Sequence, residues 1–140
     1  MANRMRNTHR RGLSTLEMAI VAPLFLFLVF GVIEYSWMFL KASDISSAAR
    51  EGVRYAVRPA VTETAQLTSA ASPLVSVLNQ SGIPLASVTV LCPADRNPGV
   101  ATGSPVTVHV SMPYSAVEIF GIMPTPQTLQ ATVTMLKEGY

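Results

Sequence analysis

The sequence contains little of what an enzyme or a metal site requires. Cys92 is the only cysteine among 140 residues, so no disulfide can form within the chain. The two histidines form no evident pair, because His9 lies in a basic N-terminal stretch and His109 alternates with valines. No metalloprotease helix, nucleophile elbow, phosphate loop or Cys/His metal spacing is present. We therefore expect neither enzymatic activity nor a bound metal or cofactor. Asp95, in a turn-rich loop, is interpreted as turn chemistry.

Charged residues are also scarce, at 13% of the chain, whereas they approach a quarter of an ordinary soluble domain. Residues 18–33 form a run of sixteen without any charge. As a helix this run would span about 24 Å, which is less than the roughly 30 Å of a bilayer's hydrocarbon core. Extension to Leu40 makes up the length and adds aromatic residues that favour the membrane interface, namely Tyr35, Trp37 and Phe39. The pattern predicts one transmembrane helix.

Acidic residues are absent before Gly12, whereas four arginines precede it. From Leu13 onward the chain has six basic and eight acidic residues, so the pI near 9.0 reflects the N-terminal stretch alone. This distribution gives no reason to expect a nucleic-acid partner. By the positive-inside rule, the N-terminus stays in the cytoplasm and the roughly one hundred residues after Leu40 are exported. The arginines are Arg4, Arg6, Arg10 and Arg11.

Glu17 lies at a fixed short distance from Gly12, at the start of the apolar run, which is the layout of a type IV prepilin signal. A carboxylate at the edge of a hydrocarbon segment needs an interfacial position or a partner. One interpretation is a charge at a helix start, where the helix dipole favours an anion. The other is that cleavage after Gly12 creates an α-amine on Leu13, which the Glu17 of a neighbouring subunit neutralises. Glu34, at the other end of the run, is interpreted as an interfacial side chain that reaches towards water.

Residues 41–58 are amphipathic with helical spacing, up to Pro59, which should stop the helix. The whole helix is predicted from about Ser14 to Val57. Small side chains on its apolar face allow close approach, either to the chain's own domain or to another subunit. The apolar positions are Ile45, Ala48, Ala49, Gly52, Val53 and Ala56.

After Pro59, residues 62–71 resemble a weak helix, and Ser72-Pro73 predicts the start of a second helix that ends at Gly82. Three alternating runs predict strands over 86–92, 105–111 and 128–137. Cys92 is interpreted as a small buried strand residue, with an intermolecular disulfide as the alternative. The expected fold is α+β, in which the long transmembrane and amphipathic helix packs against a small antiparallel sheet of about three strands. The segments are a basic leader (1–12), a transmembrane helix (13–40), its amphipathic extension (41–58) and an exported domain (59–140).

Residues 10–58, with the stretches RRGLSTLEMAIVAPL, GVIEY and AAREGVRYA, resemble the TadE-like proteins. These are minor pilins or pseudopilins of tight-adherence (Tad, Flp-type) pilus systems. The resemblance implies a bacterial inner-membrane precursor that prepilin peptidase cuts between Gly12 and Leu13, which makes Glu17 the fifth residue of the mature chain. It also implies as partners other pilus subunits, an inner-membrane assembly platform and the lipid bilayer, with a role in adhesion and biofilm formation. Met18 stands where relatives usually carry an aromatic residue.

A second interpretation is an uncleaved protein with one membrane span, whose exported domain binds a ligand or a partner. The mature N-terminus separates the two interpretations. Leu13 as the first residue supports the pilin, and an intact Met1 or Ala2 in cells with an active peptidase supports the anchored binding module.

Overall fold

A single long helix dominates the computed structural model, which describes residues 6–121 and 124–139, with side chains from residue 15 onward. Helix α1 covers Arg6–Ala56, 51 residues that extend about 77 Å at the standard rise. It begins at Arg6, earlier than the predicted Ser14, so the described part of the predicted leader is helical. It ends within one residue of the predicted Val57. Residues 1–5 of that leader lie outside the described chain.

The apolar half of α1 is exposed along most of its length. By length and composition, Thr15–Ala56 is the one helix in the described chain that could cross a membrane, with a mean hydropathy of 2.5 in its most apolar window. Only 6% of that window is buried within the protein. A helix that is apolar on all sides needs an apolar surrounding, so this element fits a single-pass membrane protein.

The C-terminal half of α1 packs against the rest of the chain. Ile45, Ala48, Ala49 and Val53 are fully buried. The predicted apolar face therefore docks onto the chain's own domain, which was the intramolecular alternative. Gly52 allows the closest approach on this face, because a Cβ there would lie 2.6 Å from a methyl carbon of Leu74.

Helix α2 covers Pro73–Gln80 and confirms the predicted start and stop signals. The Ser72 hydroxyl accepts a hydrogen bond from the Leu74 amide at 3.3 Å, and Pro73 occupies the first turn, where its missing amide proton has no cost. Gly82 has a φ of 66°, a conformation that glycine adopts readily at a helix end. Only Thr64–Thr68 is helical in the preceding segment, as a short 3₁₀ turn.

The three predicted strands form one antiparallel sheet in the order β1-β2-β3, which confirms the α+β class. Their bounds are Thr89–Leu91 for β1, Pro105–Pro113 for β2 and Thr128–Leu136 for β3. β1 is shorter than predicted because Leu85–Ser87 form a 3₁₀ turn. The central strand β2 is the most buried, and its Val106, Val108 and Val110 are fully covered. The core lies between this sheet, α1 and α2.

Cys92 directly follows β1 and is half-buried. Burial raises the pKa of its thiol, and a hydrogen bond with the Thr64 side chain opposes that effect. A raised pKa leaves less of the reactive thiolate at neutral pH.

Candidate functional site

The predicted processing and assembly residues lie near the start of α1. The backbone of Gly12 and Leu13 is helical, and their side chains are outside the described part of the structure. Glu17 follows Leu13 by four residues, about 6 Å along the axis and on the same face of the helix. Its side chain is exposed, and no cation pairs with it within residues 15–121 and 124–139. The geometry leaves this carboxylate open to a group from outside the described chain.

Glu34 is the most strongly built polar site on α1. Its side chain has no exposed surface. One carboxylate oxygen accepts a hydrogen bond from the Tyr114 hydroxyl at 2.8 Å, and the other accepts one from the Phe120 amide at 3.0 Å. The interpretation of Glu34 as a side chain that reaches towards water was wrong, because the folded domain comes down onto the helix and covers it.

The covering part of the domain is the docking segment, which we define as residues 114–121. It starts with a 3₁₀ turn, Tyr114–Ala116, and ends at Gly121, whose φ of 62° turns the chain. Within this segment the Tyr114 side chain and the Phe120 amide converge on the Glu34 carboxylate. We call the contacts of the Tyr114 hydroxyl and the Phe120 amide with the Glu34 carboxylate the clamp. Since Tyr114 also lies within the protein core, the clamp joins the sheet domain directly to the apolar part of α1.

Further contacts from α1 hold the same region in place. The Trp37 indole donates a hydrogen bond to the carbonyl of Val117 at 2.6 Å, and the Tyr35 hydroxyl donates to the carbonyl of Pro124 at 3.0 Å. The rings of Phe30 and Phe120 pack in a tilted arrangement with centroids 5.2 Å apart. Two of the three aromatic residues expected at the membrane interface, Tyr35 and Trp37, thus satisfy polar backbone groups of the domain.

The contact with Glu34 changes the pKa of the Tyr114 hydroxyl. Burial, and then the hydrogen bond and negative charge of Glu34, raise the pKa of Tyr114 from 10.0 to about 12. The fold therefore favours the neutral phenol. This contribution to stability is fully present below pH 10 and is lost as the pH rises from 10 towards 12.

An absorbance titration at alkaline pH should show this shift directly. We expect a late ionisation phase near pH 12 that belongs to Tyr114, and we expect Tyr114→Phe to remove this phase. Tyr55→Phe is the matched control, because Tyr55 lies outside the clamp, and it should leave the late phase intact. A late phase that survives Tyr114→Phe would show that burial against Glu34 is not its cause.

Two buried lysines tie α1 to the domain. The Lys41 ammonium donates to the carbonyl of Ser81, lies 3.8 Å from a carboxylate oxygen of Asp44 and sits 4.6 Å from the centre of the Trp37 ring. The end of α2 is thereby attached to α1 at Lys41, one turn after Trp37, where the docking segment makes its contact.

Lys137 follows β3 and closes the C-terminal end of α1. Its ammonium lies within 3.3 Å of four backbone carbonyl oxygens, and no carboxylate of the described chain pairs with it. Burial lowers the pKa of Lys137, while the carbonyls supply the acceptors that a buried ammonium requires. A cation at this position also complements the negative end of the helix dipole. The four carbonyls belong to Ala56, Arg58, Val61 and Pro98.

The remaining chemistry-bearing side chains make local contacts. His109 shares a hydrogen bond with the hydroxyl of Thr132 across β2 and β3 at 2.7 Å. Asp95 is exposed and lies 3.5 Å from its neighbour Arg96, while Asn97 caps the loop by accepting from the Gly99 amide. Within the described residues, no group of three or more His, Cys, Asp or Glu side chains could hold a metal ion.

Sequence reasoning missed the partners of Glu34 and the cage around Lys137. One signal was available for Glu34. It lies within residues 18–40, the length required to cross a membrane, and a carboxylate there needs a partner. Tyr114 and Phe120, however, lie 80 and 86 residues further along the chain, and no local pattern identifies them.

These features describe a chain with one helix suited to crossing a membrane and a small α+β domain clamped onto it. A family model for the TadE-like proteins matches residues 12–54. The matched region contains Gly12, Leu13, Glu17 and Glu34, so the chain carries a TadE-like segment and the resemblance is confirmed over that segment. Comparisons with curated proteins and with solved structures found no match.

Proposed function

We propose that this chain is a minor pilin or pseudopilin that helps to assemble or anchor a Tad-type pilus used in adhesion and biofilm formation. It acts as a structural subunit and not as an enzyme. The observation that carries the proposal is the TadE-like match over residues 12–54, which coincides with the long apolar helix and with the glycine-to-glutamate spacing at its start.

In this proposal the chain is inserted in the inner membrane of a bacterium. The four arginines before Gly12 keep the N-terminus in the cytoplasm, and the sheet domain lies on the opposite side. Prepilin peptidase cuts between Gly12 and Leu13. The partners after processing are other pilus subunits, the inner-membrane assembly platform and the surrounding lipid.

Glu17 supplies the assembly contact. Cleavage creates an ammonium group on Leu13, and in a filament this group pairs with the Glu17 carboxylate of a neighbouring subunit. The side chains that flank Glu17 support such a setting, because Leu16 and Ile20 are 63% and 69% exposed and would form an apolar surrounding between packed helices. In a medium of low polarity an unpaired charge is costly, so pairing fixes the axial register.

Replacement of Glu17 tests this function. We expect Glu17→Ala to be cleaved normally, with Leu13 as the first residue by mass spectrometry, and to be lost from assembled pili. Breaking a buried ion pair costs about 3 kcal/mol or more, which corresponds to a drop in incorporation on the order of 100-fold.

The matched control is Glu51→Ala. Glu51 is a carboxylate on the same helix, its ion pair within the described residues is with the exposed Arg54 at 2.9 Å, and its loss should change neither cleavage nor incorporation. Normal incorporation of Glu17→Ala would contradict the assembly role. Wild-type protein that keeps residues 1–12 in cells with an active peptidase would instead support the uncleaved, membrane-anchored binding module.

A further inference from the structure

Ile119 and Phe120 form the tip of the docking segment, and this tip lies beside the apolar run of α1. The Phe120 ring contacts Phe30, which is inside the uncharged run of residues 18–33. Ile119 lines an open groove of about 340 Å³ together with Val32 and Ile33 of the same run. Any part of the domain that touches these side chains must lie at the depth they occupy. If α1 crosses a bilayer, the tip is therefore at membrane depth.

The length of the run sets that depth. Twenty helical residues are needed to cross the hydrocarbon core, and a count from Met18 reaches Trp37. Glu34 then falls within the hydrocarbon region, where an exposed carboxylate is costly. In the structure this carboxylate has no exposed surface, because Tyr114 and the Phe120 amide satisfy it. The surface at this level is formed in part by the tip, whose Ile119 and Phe120 are 46% and 42% exposed.

Three polar backbone groups of the region are satisfied by side chains of α1. Irregular chain is tolerated at membrane depth only where the protein satisfies its polar groups. The carbonyls of Val117 and Pro124 accept hydrogen bonds from Trp37 and Tyr35, and the Phe120 amide donates to Glu34.

The acidic neighbour of Ile119, Glu118, does not line the groove that Ile119 forms with Val32 and Ile33. Glu118 lines a separate shallow cavity with Ser115, Thr125 and Gln127. The segment is thus amphipathic, with an apolar tip that is continuous with α1 and a polar face suited to water or lipid headgroups.

We propose that the tip of the docking segment inserts into the membrane leaflet on the side of the domain, where lipid acyl chains contact Ile119 and Phe120. The inference rests on the proposed function only in that α1 must span the membrane. The inserted tip keeps Glu34 away from lipid and seats the domain directly on the bilayer surface.

Accessibility measurements on the full chain in phosphatidylcholine nanodiscs test the insertion. A nitroxide label is placed at Ile119→Cys in a Cys92→Ala background, and its exposure to oxygen, which concentrates in lipid, is compared with its exposure to a water-soluble nickel complex. Leu24→Cys, at a position 71% exposed on α1, is the reference for the span. Ser115→Cys, on the polar face of the docking segment, is the reference for water.

We expect the ratio of oxygen to nickel exposure at position 119 to match that at 24 and to exceed that at 115 several-fold. A water-like ratio at 119 beside a lipid-like ratio at 24 would overturn the insertion and leave the span intact. Shielding from both reagents would show that protein covers the tip, which also overturns it. A water-like ratio at 24 would remove the span and the insertion together.

A second variant avoids the change at Cys92 and guards against a folding defect. Ile119 is replaced by p-benzoylphenylalanine in the otherwise native chain, and adducts with lipid acyl chains after illumination are scored by mass spectrometry. Acyl adducts at 119 and none for the same residue at 115 are expected. Acyl adducts at neither position would count against insertion.

Discussion

Replacement of Glu34 by alanine is expected to release the docking segment from α1. The Tyr114 hydroxyl and the Phe120 amide would both lose a charged acceptor, and hydrogen bonds to charged groups contribute about 1.5–3 kcal/mol each. A total loss of about 3 kcal/mol corresponds to amide exchange in residues 114–121 that is on the order of 100-fold faster. Hydrogen exchange of the full chain in detergent micelles, read by mass spectrometry, measures this opening free energy.

Glu118→Ala is the matched control for this prediction. Glu118 is a carboxylate within the docking segment, but its side chain is exposed and bonds to nothing on α1 in the described chain, so exchange should change little. A double-mutant cycle with Glu34→Ala and Tyr114→Phe isolates the pair, and we expect a coupling free energy of about 1.5–3 kcal/mol. A coupling near zero would show that the 2.8 Å contact does not hold the segment.

Replacement of Lys137 by methionine is expected to destabilise the domain by about 3 kcal/mol or more. Methionine is similar in length but donates no hydrogen bond, so the four carbonyls around the ammonium would lose a donor inside the protein. Each buried polar group left without a partner costs about 1–3 kcal/mol, and removal of the desolvation cost of the charge offsets part of the sum. Denaturant unfolding in micelles, followed by the near-ultraviolet signal of the aromatic side chains, gives the free energy of unfolding.

The adjacent residue supplies the control for Lys137. Glu138 has an exposed side chain, while its backbone amide donates to the carbonyl of Val57 at 3.0 Å. Glu138→Met therefore keeps the backbone contact and should shift the free energy of unfolding by no more than about 0.5 kcal/mol. Equal effects of the two substitutions would mean that chain geometry near the C-terminus, and not the ammonium, closes the end of α1.

Elements with local signals were predicted well from the sequence. Helix α2 is defined by Ser72, Pro73 and Gly82, which act through a local side-chain cap and through their own backbone geometry, so its bounds follow from neighbouring residues alone. The three strands were found because alternation is a local pattern. β1 was predicted too long because Leu85–Ser87 adopt a 3₁₀ turn. β3 ends one residue before its predicted end, and β2 extends two residues beyond its predicted end.

Contacts between distant parts of the chain were not predictable in the same way. Glu34 was assigned to the interface because the sequence shows its apolar neighbours and not the fold above it. Lys137 was part of a predicted strand, and nothing near it indicates that the end of α1 and loops, from 39 to 81 residues away, bring four carbonyls together. The assignments of Gly12, Leu13 and Glu17 depend on a peptidase and on other subunits, so they stay predictions.

Because α1 is one continuous helix, the helix and the domain attached to it move as a single rigid unit. Because the domain is fixed along α1 from Phe30 to Ala56, a tilt of the helix turns the sheet through the same angle. A force along the helix axis is transmitted directly to the domain. Pro23, where one backbone hydrogen bond is missing, lies about two turns before Phe30. A bend at Pro23 would therefore move the clamp and the sheet together and would leave the contacts between them intact.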